Sequence, residues 1–291
     1  MAQSLQYLGD IVPAVEHIRQ SESIISTEQR ASYYLGAAPS RWLAISANTF
    51  WLAGYPDQAM WRSREALAVA EKLSHAYVLA VTRLFCGYFC AHCRYIQAVL
   101  GHAEAGIVLA TEYGFSTLLP QVMIQRGWAL VHLGAVEEGL DQISRGIAVQ
   151  PVGAPARHLF RRLLAEVYLL AKRADDGLRV VSEGLRDLEG SKRRRDHAEL
   201  HRLKGELLLL QNGAGATEAE SCFCEAIEIS RRQQAKSWEL RATTSLARLL
   251  ATQCKRNEAR TILTEIYGWF TEGFDTADLK DAKALLDEMG G

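Results

Sequence analysis

The chain reads as all-α, a right-handed superhelix of stacked antiparallel helix hairpins. Three observations predict it. Proline is scarce, 6 in 291 residues, which removes the commonest helix breaker. Alternating apolar and polar stretches bounded by hairpin-turn pairs are missing, so no segment reads as sheet. Above all, a pair of helix-period segments recurs about every 40 residues, and a fixed period of that size marks a stacked-repeat architecture.

Taken in order, residues 1–25 read as the remains of a preceding unit, with Leu8-Gly9 as a turn and Ala14 and Ile18 on its apolar side. Six hairpins follow over about 40–272. Their first helices are SRWLAISANTFWLAG, LAVTRLFCGYFCAHC, PQVMIQRGWALVHLG, HLFRRLLAEVYLLAK, AELHRLKGELLLLQ and LRATTSLARLLATQ. Each second helix opens on a small anchor, at Ala59, Ala98, Gly139, Gly177, Ala219 and Ala259, separated by 39, 41, 38, 42 and 40 residues. Seven positions on stand Ala66, Ala105, Gly146, Gly184, Ala226 and Ile266. Two positions one heptad apart share a helix face, and small residues there let a neighbouring helix approach closely. Larger apolar residues beside them, Leu67, Ile147, Leu185 and Ile227, complete an amphipathic stripe. Residues 275–289 read as a closing helix capped by Asp275 or Thr276, with Asp278 in its first turn. A lone helical hairpin cannot bury its own apolar face, whereas stacking buries a continuous core. Residues 1–291 therefore read as one superhelical domain.

Composition limits function. With 48% hydrophobic and 23% charged residues and a formal charge of −1, the chain is globular and carries no surplus charge for general nucleic-acid binding. The longest uncharged run, Trp42 to Pro56, is interrupted by Asn48, Gly54 and Pro56, and no basic start precedes an apolar stretch, so neither a membrane span nor an export signal is expected. Six cysteines are too few for a disulfide scaffold and fit a reducing, cytoplasmic setting.

Several constellations invite chemistry. Cys86, Cys90 and Cys93 have the C-x3-C-x2-C spacing of one iron–sulfur class, yet offsets of 0, +4 and +7 trace a helix stripe, and core packing is the expectation. His197 and His201 share one helix face, but Glu199 is one place late for a zinc hydrolase and no third ligand is evident; a solvated helix start is expected. Lys192-Arg193-Arg194-Arg195 reads as a charged connector, and Gly213-Ala214-Gly215-Ala216-Thr217 as an expanded turn without the lysine of a phosphate loop. Cys222 and Cys224 lie about 200° apart on a helix and cannot share a metal. No catalytic residue, metal or cofactor is expected, and the chain reads as a non-enzyme.

In stacked hairpins the first helices line the inner surface. Counting back from the anchors places Arg41, Asn48, Trp51, Arg83, Gln121, Trp128, Arg162, Glu166, Arg202, Glu206, Arg241 and Arg248 along a candidate groove. Half are arginines, whose planar fork matches carboxylates, so an acidic segment of a protein partner is the expected occupant. The competing reading is that these residues form salt bridges between repeats.

The small residues at these offsets, with Gly127 and Gly205 inside first helices, make the units resemble tetratricopeptide repeats of a long variety. The run EAIEISRRQQAKSWELRATTSLARLLATQCKRNEARTILTEIYGWFTEGFDTADLKDAKALLDE further resembles the carboxyl-terminal arm of bacterial signalling proteins that join a class III nucleotide cyclase to a multidomain signal-transduction ATPase. No G-x-x-x-x-G-K-[ST] loop occurs, so the resemblance implies the arm's role alone: protein contact or regulation of a cyclase or ATPase, with small-molecule sensing as the alternative.

Overall fold

In a computed structural model the residues described are 1–24, 37–151, 157–189, 194–211 and 215–290; among them there is no strand. The helices, in chain order, are α1 (Ala2–Leu8), α2 (Ile11–Ile24), α3 (Ala37–Leu52), α4 (Pro56–Lys72), α5 (Ala76–His92), α6 (Ile96–Glu112), α7 (Leu119–His132) and α8 (Val136–Ala148). They continue with α9 (Arg157–Leu170), α10 (Ala174–Glu189), α11 (His197–Leu210), α12 (Ala216–Gln233), α13 (Lys236–Thr252), α14 (Arg256–Tyr267) and α15 (Ala277–Gly290). Among the described residues no helix is long and apolar enough to cross a membrane.

The chain forms two compact units. The first comprises Met1–Gln6, Val12–Trp51 and Asp57–Phe160; the second comprises Tyr7–Ile11, Leu52–Pro56 and Arg161–Gly291.

Within each unit the same turn recurs. Helices end on a residue in the left-handed region: Arg94 (φ 59°), Gly114 (φ 69°) and Gly134 (φ 93°) in the first unit, Lys172 (φ 56°), Gln234 (φ 55°) and Cys254 (φ 63°) in the second. The next residue's N–H then reaches back five positions, as in Tyr95 to Cys90 O, Ala135 to Leu130 O, Arg173 to Tyr168 O and Lys255 to Leu250 O, each at 2.9 Å. This C-terminal motif satisfies orphan carbonyls and reverses the chain within three residues. Glycine suits such a position best because a Cβ there is strained; four of the six turns nevertheless use a side-chain-bearing residue.

In the first unit, α7 and α8 pack at backbone contact. A Cβ on Gly127 would lie 2.6 Å from Gly139 O, and one on Gly146 would lie 2.6 Å from Ile124 Cγ1. The pairs 127/139 and 124/146 diverge in opposite directions along the two helices, which makes the hairpin antiparallel. The second unit repeats this register between α10 and α11, where Gly177 abuts Leu207 and Gly184 abuts Leu200. Its apolar core runs continuously through Phe223, Leu240, Leu250, Leu263, Phe270 and Leu279. Side chains of this kind each contribute roughly 1.5–3 kcal/mol on burial.

The anchors Ala59, Gly139, Gly177, Ala219 and Ala259 are buried. Repeat two departs by one position: Ala98 is exposed and Ala105 half-buried, while Val99 and Gly106 point inward, Gly106 against Val122. The corrected anchor Val99 lies 40 residues from both Ala59 and Gly139, a more regular spacing.

Candidate functional site

The first helices carry the polar groups that distinguish the two units. In the first unit the links between successive first helices are neutral. Asn48 on α3 donates through Nδ2 to Ala44 O (2.9 Å) and Phe85 O on α5 (3.2 Å). Gln125 on α7 donates through Nε2 to Leu84 O on α5 (2.8 Å). Trp51 stacks on His92 with ring centroids 4.6 Å apart, and Trp128 packs on His132 at 4.0 Å. Both tryptophans are buried. Arg83 reaches Glu71 at 3.3 Å, and Gln121 accepts from Tyr88 OH at 3.5 Å while donating to Thr117 O.

In the second unit the corresponding links are ionic. Within α11, Arg202 makes a two-pronged pair with Glu199 (2.7 and 2.8 Å) and reaches Glu206 at 3.3 Å, and it donates across to Ser245 Oγ on α13 at 3.4 Å. Ser245 Oγ on α13 donates to Glu206 Oε1 at 2.6 Å. Arg241 bridges α13 to α15 through Asp278 (2.8 Å) and to α11 through Glu199 (3.7 Å). Arg162 on α9 lies 3.5 Å from Glu166 and 3.4 Å from Asp196, and Arg195 holds the other Asp196 oxygen at 3.0 Å. The guanidiniums of Arg162 and Arg241 both sit over the Trp238 ring, at 5.5 and 5.1 Å.

Four guanidiniums thus meet five carboxylates, of which Glu199 (1% exposed) and Asp196 (0%) are shut off from water while Glu166 and Glu206 are partly exposed. For Arg202, burial opposes the charge and the neighbouring Glu199 overcomes it, so its pKa rises above the usual arginine range. Arg241 rises in the same way through Asp278 and Glu199. The ladder follows from the repeat itself, because Arg162, Arg202 and Arg241 fall at one position of successive first helices, 40 and 39 residues apart.

Of the twelve groove residues, Asn48, Trp51, Trp128 and Arg162 are buried in helix packing. Glu166, Arg202, Glu206 and Arg241 are committed to the ladder, and Arg83 and Gln121 to local partners. Arg41 and Arg248 are exposed and have no partner among the described residues.

The other constellations resolve as follows. Cys86, Cys90 and Cys93 are buried, and Cys86 Sγ donates to Ser63 O at 3.5 Å. Burial pushes the Cys86 thiol up to about 11 and that of Cys90 to about 12, which disfavours the thiolates that metals require. His197 and His201 are not a solvated helix start: both are half-buried with Nε2 atoms 3.3 Å apart. Burial lowers both, His201 to about 4. Arg195, expected in a charged connector, is buried in the ladder, whereas Lys192 and Arg193 lie outside the described residues, as do Gly213 and Ala214. Cys222 is buried and Cys224 exposed. No group of three or more metal-ligating side chains occurs among the described residues.

Sequence reasoning missed two features. Asp196, the innermost carboxylate, stands at the N-cap position of α11, a place where an acidic residue is itself a signal. An exposed aromatic cluster also forms where α5 begins and the α6–α7 turn passes: Tyr77 meets Phe115 edge-on at 5.2 Å, and Tyr113 stacks on Phe115 at 5.8 Å.

No family model matches this chain, and no curated protein matches it. Among solved structures it is similar to yeast Tom70, with a TM-score of 0.43 and 12% identity over 87% of this chain. The match spans 64% of that protein's chain. The helix pairs, their shared turn and their spacing of about 40 residues define a helical-hairpin repeat protein.

Proposed function

We propose that this chain is a non-enzymatic helical-repeat module that contacts protein partners in the cytoplasm and regulates a nucleotide cyclase or signalling ATPase. The observation that supports contact is the aromatic cluster of the first unit, where Tyr77 is 47% and Tyr113 54% exposed. Aromatic side chains standing in water at a turn contribute most where a partner covers them. The exposed Arg41 and Arg248 remain available to an acidic segment of such a partner. The cyclase or ATPase assignment rests on the resemblance of residues from Glu225 to Glu288 to the arms of such proteins.

Co-purification of the tagged full chain from its source cells, followed by mass spectrometry, tests this reading. The wild type is expected to bring down a cyclase or phosphate-loop ATPase, and Tyr77→Ser/Tyr113→Ser to lose it. Identical eluates from the two chains, or an eluate holding neither enzyme class, would contradict it.

A further inference from the structure

The first unit contains a cleft of about 640 Å³ between α1, α2 and α3. Its apolar lining comes from Met1, Ala2, Trp42 and Ile45 with buried Ile18 beneath them, and its polar groups include His17, Arg41 and Ser46. That volume lies within the range of small-molecule sites.

The donors decide what the cleft accepts. Ser46 has spent its hydroxyl proton on Leu43 O at 2.8 Å. Ser21, which also lines the cleft, directs its proton to carbonyls of its own helix at 2.8 and 2.9 Å. Arg41 is different: its N–H groups have no acceptor among the described residues, and the same holds for the His17 ring. No carboxylate is among the described residues lining the cleft. A guanidinium beside an indole and two isoleucines, with no acidic group to neutralise it among the described residues, fits a planar anion attached to an apolar body.

We propose that this cleft binds small carboxylates carrying a flat apolar group, with Arg41 pairing the carboxylate and Trp42, Ile18 and Ile45 covering the ring. The proposal stands on the cleft alone and does not depend on the protein-contact reading.

Isothermal titration of the full chain with indole-3-acetate and 2-naphthoate, against indole-3-acetamide and 2-naphthamide, tests it. The acids are expected to bind saturably and at least about tenfold tighter than the amides, the margin of a charge-assisted pair. Arg41→Gln should lose that margin, while Arg248→Gln, at an exposed arginine outside the cleft, should keep it. Equal binding of acids and amides, unchanged binding by Arg41→Gln, or no saturable binding of either acid would overturn the proposal. The acid-against-amide arm on the wild type decides the matter even if Arg41→Gln proves poorly folded.

Discussion

The two units use one backbone plan and join their successive first helices by different polar chemistry. Between successive first helices of the first unit lie buried amides and a tryptophan–histidine stack, Asn48, Gln125 and Trp51 with His92, each neutral. At the equivalent places of the second unit lies a ladder of Arg162, Arg202 and Arg241 with their carboxylates. The difference teaches that the repeat specifies where helices touch while leaving the means of contact open. A neutral link is complete in itself. An ion pair sunk in the core is conditional on both partners, since loss of one leaves the other charged and desolvated.

That asymmetry predicts how each unit fails. The largest effect is expected from Arg162→Ala, which takes from Asp196 (0% exposed) one of its two guanidiniums, leaving that of Arg195, and removes the arginine beside Glu166. A cost of about 3–5 kcal/mol is expected, read as a lowered urea midpoint. Reversing Arg162 and Arg202 together should prevent folding outright, and a folded double variant would break the comparison. In the first unit the sensitive point is steric. Gly139→Ala would drive a methyl group into Gly127 O and Val131 Cγ2, at about 1–3 kcal/mol, with a lower melting temperature as the readout. The smallest effect is shared by the units. Arg94→Gly and Lys172→Gly relieve left-handed strain at equivalent turns and should each stabilise by up to about 1 kcal/mol. Opposite signs at the two turns would show that the hairpins are not equivalent.

The helical hairpins and their period were legible because small residues recur where backbones meet, and Gly139, Gly146, Ala219 and Ala226 are indeed buried. Repeat two slipped by one residue because α6 is crowded with small residues at 98, 101, 103, 105 and 106, so two registers fit the pattern equally well. Turns marked by glycine were readable, whereas Arg94, Lys172, Gln234 and Cys254 take the same conformation with no local signal. The candidate site was harder. Spacing places Trp51 and Arg202 on the inner side of their helices, but cannot say whether the next helix covers that side. His92 lies 41 residues beyond Trp51 and Ser245 43 beyond Arg202, and only the folded stack brings them together. Salt bridges between repeats, the competing reading of the groove, occur at Arg83, Arg162 and Arg241, whereas Glu166, Arg202 and Glu206 pair within their own helices. The aromatic cluster escaped notice because Tyr113 and Phe115 flank a turn, outside any helix stripe.

The central claim is that the arginines of the second unit hold helices together, and a double-mutant cycle on Arg241→Met of α13 and Asp278→Asn of α15 tests it most directly. Urea unfolding of the wild type, both single variants and the double variant would give the coupling energy. A coupling of about 1.5 kcal/mol or more, with the double variant recovering part of the single-variant loss, is the result expected for a largely buried ion pair between helices. Additivity within about 0.5 kcal/mol would contradict the account.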